Sequence, residues 1–149
     1  MESQKLSQEG PKQKNESEAA SIAAYTRGDY KAAADGFTIL AEQGESESQS
    51  FLGVMYEHGT GVPKDEQQAS IWYRKAADQG NPRGQSNLGV MYANGIGVPK
   101  DEQQAYFWWL LSSAQGVAES VKNWDIIEQQ LTPQQRANAQ ARARDWKPE

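Results

Sequence analysis

The sequence predicts an all-α protein built from stacked helix–turn–helix units, and three observations carry that prediction. A 36-residue segment occurs twice in succession without a gap. Within each copy, apolar residues recur at helical spacing in two separate runs. Between the runs lies the chemistry that stops one helix and starts another. Self-similarity at this period marks repeat architectures, in which one unit cannot bury its apolar face alone and stacks on its neighbours.

The copies are residues 45–80 and 81–116, identical at 20 of 36 positions. Both carry Leu-Gly-x-Met-Tyr, then Gly-x-Gly-Val-Pro-Lys-Asp, then Ala-x-x-Trp, then Gln-Gly. In the first predicted helix Leu52, Gly53 and Tyr56 share one face, as do Leu88, Gly89 and Tyr92. In the second, Ala69, Trp72, Tyr73 and Ala76 form an apolar face, echoed by Ala105, Trp108, Trp109 and Ser112. The intervening stretches, "GTGVPKDEQQA" and "GIGVPKDEQQA", read as punctuation. Gly59 and Gly95 follow the last periodic residue, where a left-handed helix cap favours glycine. Pro63 and Pro99 impose an extended stretch. Asp65 with Gln68, and Asp101 with Gln104, have capping-box spacing. Asn81-Pro82 supplies an N-cap and a first-position proline for the next unit. A phosphate cradle does not fit: the third glycine of GxGxxG is missing, a helix precedes it instead of a strand, and Gly-Lys-Ser/Thr is absent. Gly53 and Gly89 each cost about 1 kcal/mol relative to alanine within a helix. A neighbouring aromatic is therefore expected against bare backbone there, with Trp72 and Trp108 as the expected rings.

These landmarks resemble the Sel-1-like repeat family, relatives of the tetratricopeptide repeats. The resemblance rests on "LGVMYEHGTGVPKDEQQASIWYRKAADQG" and "LGVMYANGIGVPKDEQQAYFWWLLSSAQG" and covers two complete units. It implies a right-handed α/α superhelix, protein–protein interaction as the function, and first helices lining a concave binding side. Upstream, residues 17–44 look like a degenerate tetratricopeptide-like unit with a short Gly28-Asp29-Tyr30 turn and no Gly-x-Gly-Val-Pro loop. Residues 1–16 are polar and aperiodic, a composition expected to form a disordered leader. Downstream, residues 117–149 are expected to be a C-terminal capping helix pair. Val121, Trp124, Ile127 and Leu131 suggest its first helix, and Thr132-Pro133 opens a last helix toward Trp146. In the second copy Leu110 and Leu111 replace Arg74 and Lys75. Either the cap covers them, or with Trp109 they form a homodimer or partner interface.

Composition narrows the function. A formal charge of −5 argues against nucleic acid, which needs a clustered excess of Lys and Arg. The basic group Arg136, Arg142, Arg144 and Lys147 reads as a solvated helix face. Cysteine is absent, which removes disulfides and thiolate metal sites. No apolar run approaches the roughly 18 residues of a membrane span, and no signal-peptide core opens the chain. As given, the chain is expected to be soluble and cytoplasmic; a signal removed before Met1 would make it periplasmic or secreted. The single histidine, His58, lacks any readable nucleophile or metal-ligand companion, and its place at a helix C-terminus suits the helix dipole. No catalytic, metal or cofactor residues are therefore expected, and no cofactor.

The helical wheel places the candidate binding residues. Opposite the Leu52/Gly53/Tyr56 face stand Glu47, Phe51, Val54 and His58, matched by Arg83, Asn87, Val90 and Asn94 in the next unit. Ser50, Glu57 and Ser86 flank the stripe, and Tyr25 is the candidate from the degenerate unit, with Glu18 and Ile22 as weaker ones. Phe51 and Tyr25 are the expected anchors. The expected function is a non-catalytic adaptor or scaffold holding a peptide or protein segment in the groove. Two alternatives stay open: a hydrolase of cell-wall material working in the same groove, and a structural piece that self-assembles through Leu110 and Leu111.

Overall fold

The computed structural model describes residues 11–149, folded as eight α-helices. They are α1 (Pro11–Thr26), α2 (Tyr30–Glu42), α3 (Ser46–His58), α4 (Glu66–Asp78), α5 (Pro82–Asn94), α6 (Glu102–Ala114), α7 (Ala118–Glu128) and α8 (Pro133–Asp145). Each helix from α1 to α6 packs on the next, so α1–α2, α3–α4 and α5–α6 form three stacked hairpins. The leader expected over residues 1–16 lies partly outside the described residues. Its described part, residues 11–16, differs from expectation by forming the first turns of α1. Pro11 suits the opening of a helix, and the lysines that follow are good helix formers, so propensity extends α1 where packing does not.

The turn chemistry works largely as expected. Gly59 (φ 69°) and Gly95 (φ 65°) are left-handed caps whose N–H groups bond Met55 O and Met91 O. Asp65 and Asp101 accept from the N–H of Gln68 and Gln104. The reciprocal half of the capping box is replaced, because the N–H of Asp65 and Asp101 donate to Tyr56 O and Tyr92 O, both at 2.9 Å, tying each loop to its own first helix. A full capping box forms at Thr132 with Gln135. The second glycine of each loop has a separate task. Gly61 lies against the Tyr30 carbonyl and Gly97 against the Glu66 carbonyl, so each loop rests on the first turn of the preceding unit's second helix. A Cβ at either position would collide with that backbone.

Buried amides fasten one unit to the next. Gln49 and Gln85 donate to Ala41 O (3.1 Å) and Ala77 O (3.3 Å), carbonyls near the ends of α2 and α4 that also accept from the N–H of Gly44 and Gly80. Their own side-chain oxygens accept from Gln79 and Gln115, both at 2.8 Å, which is the role of the Gln-Gly landmark. Asn81, the N-cap of α5, also accepts from the buried Ser50 hydroxyl at 2.7 Å and donates to Glu47 at 2.8 Å.

The core corrects one expectation. The rings resting on Gly53 and Gly89 belong to Tyr73 and Trp109, not to Trp72 and Trp108. One residue along a helix turns a side chain by about 100°. Tyr73 and Trp109 thus cross beneath the first helix of their own unit, while Trp72 and Trp108 face elsewhere in the core, with Lys75 and Arg74 over their rings. Each crossing ring ends on a polar partner: the Tyr73 hydroxyl donates to Glu57 at 2.6 Å, and Trp109 Nε1 donates to Ser86 O at 3.1 Å.

At the C-terminus, α7 occupies the place of a fourth first helix, packed on α6. The expected capping pair is not a hairpin, for α8 turns back and packs on α6. Leu131 lies beyond the end of α7 and is buried. Leu110 and Leu111 are half-buried in one apolar cluster with Ala139, Ala143 and Trp146 of the cap, and Trp109 is 5% exposed. Trp109 is therefore spent inside the chain, and Leu110 and Leu111 are partly covered there. The basic group near the end is also partly structural. Arg136 donates to Glu128 O and Leu131 O, closing the end of α7, and the Arg142 guanidinium lies 4.4 Å from the Phe107 ring centre. Trp146 and Pro148 reach Gly80, where the Glu149 N–H bonds Asp78 O at 2.8 Å.

Candidate functional site

The face formed by α1, α3, α5 and α7 carries the candidate residues, and the 36-residue period arranges them in levels. Glu47, Arg83 and Glu119 occupy one level, and Phe51, Asn87 and Asn123 the next. Val54, Val90 and Ile126 follow, then His58, Asn94 and Gln130. The α7 members were missed by sequence reasoning, although continuing the same offset into the cap would have found them. Ile126 is 62% exposed. On α1, Ile22 and Tyr25 are also exposed, and Tyr25 meets Tyr30 edge-on at 5.1 Å.

Between α5 and α7 this face opens into a cleft of about 290 Å³. Trp109 and Ile127 are buried residues on its wall, Ile126 adds an exposed apolar edge, and Asn94, Asn123 and Gln130 are polar neighbours. The glycine at position 89 explains the floor: without a side chain there, the Trp109 ring passes the helix and lies between two first helices.

Between α3 and α5 the same gap is filled differently. The Phe51 ring stacks on Phe37 (5.1 Å, 15°), and the Arg83 guanidinium lies 4.8 Å from the Phe51 ring centre. Phe51 is thus a half-buried platform more than a free anchor. Burial, then the hydrogen bond and charge of Glu57, push the Tyr73 phenol far above its usual range, so it stays a donor. Nearer α1, partial burial and then the charges of Glu45 and Glu47 push the Glu18 carboxyl upward.

Two predicted contact residues fall out of the surface. Ser50 is fully buried on Asn81, and Ser86 is buried beneath Trp109 and Ser120. Their small hydroxyls sit where units meet, which a wheel drawn on one isolated helix does not show. His58 donates its Nδ1–H to Val54 O at 3.0 Å, and Asn94 makes the equivalent bond to Val90 O at 3.1 Å. Among the described residues no group of three acidic or histidine side chains is placed to hold a metal ion, and no helix is long and apolar enough to cross a membrane.

This stack of hairpins, joined by glycine-proline loops and buried glutamines, defines an α-solenoid repeat protein. Residues 46–81 and 82–117 each match the Sel1 repeat, so these two units are Sel1 repeats. Among solved structures the chain is similar to a protective antigen of uropathogenic Escherichia coli strains that displays an SLR fold, with 33% identity and a TM-score of 0.83 over 89% of this chain and 29% of that one. It is also similar to a Sel1 repeat protein from Oxalobacter formigenes (31% identity, TM-score 0.62, 64% of this chain and 40% of that one). Helicobacter pylori cysteine rich protein B matches at 28% identity and a TM-score of 0.58, over 60% of this chain and 68% of that one. The chain therefore spans less than half the length of the first two. A comparison with curated proteins gives no match. Sel1 repeats are, as a family, generally modules of protein–protein interaction.

Proposed function

We propose that the chain is a non-catalytic adaptor that holds an extended segment of a partner protein across the face of α1, α3, α5 and α7. The observation that carries this reading is the cleft between α5 and α7, where an exposed isoleucine and the edge of a buried tryptophan meet side-chain amides. A lining that mixes apolar side chains with amides and the Lys100 and Glu102 charges suits one anchoring side chain, and the amides suit the partner's peptide groups. Val54 and Val90 continue the apolar level toward the N-terminal units.

The test is selection of a displayed random dodecapeptide library on the immobilised protein. Enriched peptides are expected to share an apolar residue, and Ile126→Glu should weaken them at least tenfold. Because Ile126 is 62% exposed, the variant should keep the parent's circular dichroism and melting. Enriched peptides that bind Ile126→Glu as tightly as the parent would overturn the assignment.

A further inference from the structure

Arg83 is the unusual charge on this face. It is exposed, yet its guanidinium is held on the Phe51 ring, which is in turn fixed by stacking on Phe37. A guanidinium presents five N–H donors in a planar fork suited to carboxylates. Among the described residues, none of these donors meets a protein acceptor, and Arg83 belongs to none of the ion pairs. The adjacent carboxylates are engaged elsewhere: Glu47 by the Asn81 amide at 2.8 Å and Glu57 by the Tyr73 hydroxyl at 2.6 Å. One turn along α5, the half-buried Asn87 amide also makes no hydrogen bond within the described chain.

From this we infer that Arg83, with Asn87 beside it, receives an acidic side chain of the partner segment. This deepens the adaptor reading and rests on it. Stacking restricts the fork before the partner arrives, so less side-chain entropy is lost on binding. Glu47 and Glu57 repel a carboxylate that approaches away from Arg83, which fixes register as well as preference. The acid belongs to a side chain within the segment and not to a chain terminus. First helices continue on both sides of Arg83, with the exposed Ile22 toward one end and Ile126 toward the other, so the bound strand extends past it in both directions.

The spacing to the cleft is set by α5. Arg83 and Asn94 stand eleven residues apart, about 16 Å of helix axis. About 16 Å is spanned by about five residues of extended chain. The selected peptides should therefore carry Asp or Glu about five residues from the apolar anchor.

The experiment repeats the dodecapeptide selection on the parent and on Arg83→Gln and Arg83→Glu, and then measures one enriched peptide and its Glu→Gln counterpart by calorimetry. The parent should prefer the acidic form at least tenfold, with a preference that shrinks as salt is raised. Arg83→Gln should erase that difference, and Arg83→Glu should select Lys or Arg instead. Equal affinity of the parent for the two forms, or an acid preference that survives in Arg83→Gln, overturns the inference. If those peptides still fail on Ile126→Glu, the adaptor reading stands without it. Peptides indifferent to Ile126→Glu overturn both.

Discussion

At the scale of single residues, Gly89 shows how one missing methyl group decides what the neighbouring helix can do. In an isolated helix, alanine in place of glycine stabilises by about 1 kcal/mol. Here an added Cβ would fall within van der Waals overlap of the Trp109 indole, itself 5% exposed and hydrogen-bonded to Ser86 O. Overfilling a packed site costs about 1–3 kcal/mol, and moving the indole leaves its buried N–H unpaired, another 1–3 kcal/mol. Gly89→Ala is therefore expected to destabilise by about 2–4 kcal/mol in urea unfolding, opposite in sign to helix propensity. Gly53→Ala should follow it, since its Cβ meets the Tyr73 ring. A Gly89→Ala protein more stable than the parent would refute the packing assigned to that indole.

At the scale of elements, the cap is the part that the repeat register alone does not specify. Both internal units were legible, because Gly59, Pro63, Asp65 and Asn81 announce their conformations through local chemistry that needs no tertiary context. The exposure of Arg83 was legible for the same reason, being fixed by helical phase, whereas Glu47 and Val54 are half-buried by neighbouring elements. Ser50 and Ser86 were misplaced because their burial comes from the adjoining unit. Whether the ring on Gly53 was Trp72 or Tyr73 turned on one residue of rotation, finer than periodicity resolves. The fold-back of α8 is tertiary, and its trace in the sequence is the exchange of Arg74 and Lys75 for Leu110 and Leu111. Restoring the charges as Leu110→Arg with Leu111→Lys places two cations among Ala139, Ala143 and Trp146. Two half-buried leucines are lost at once, so the double variant is expected to lose about 2–4 kcal/mol. Enhanced cleavage by trypsin near Arg142 and Arg144 should accompany it. A variant as stable and protease-resistant as the parent would mean that α8 does not rest there.

At the scale of the whole molecule, the aromatic floor links stability to pH. Tyr73 carries a phenol pushed far upward by burial first and by Glu57 second, and Tyr106 one pushed upward chiefly by burial, with the Gln140 hydrogen bond opposing. Both shifts have one sign: the folded chain holds the proton more tightly than the unfolded chain, whose tyrosines ionise near pH 10. Below that pH both states are protonated and the contribution is fully present. Above it the unfolded state releases protons first, and stability falls as pH rises, by up to about 1.4 kcal/mol per pH unit for each phenol still protonated in the fold. Urea midpoints should thus be level with respect to these groups from neutral pH to about 10 and then decline. Tyr73→Phe separates this effect from general alkaline repulsion. It forfeits the 2.6 Å bond to Glu57 and lowers the neutral plateau, yet it removes one ionisation and flattens the alkaline limb. The two curves should converge as pH rises above 10. Parallel curves would show that the Tyr73 phenol does not hold its proton in the fold, and that the gap between α3 and α5 is open to hydroxide and therefore to water.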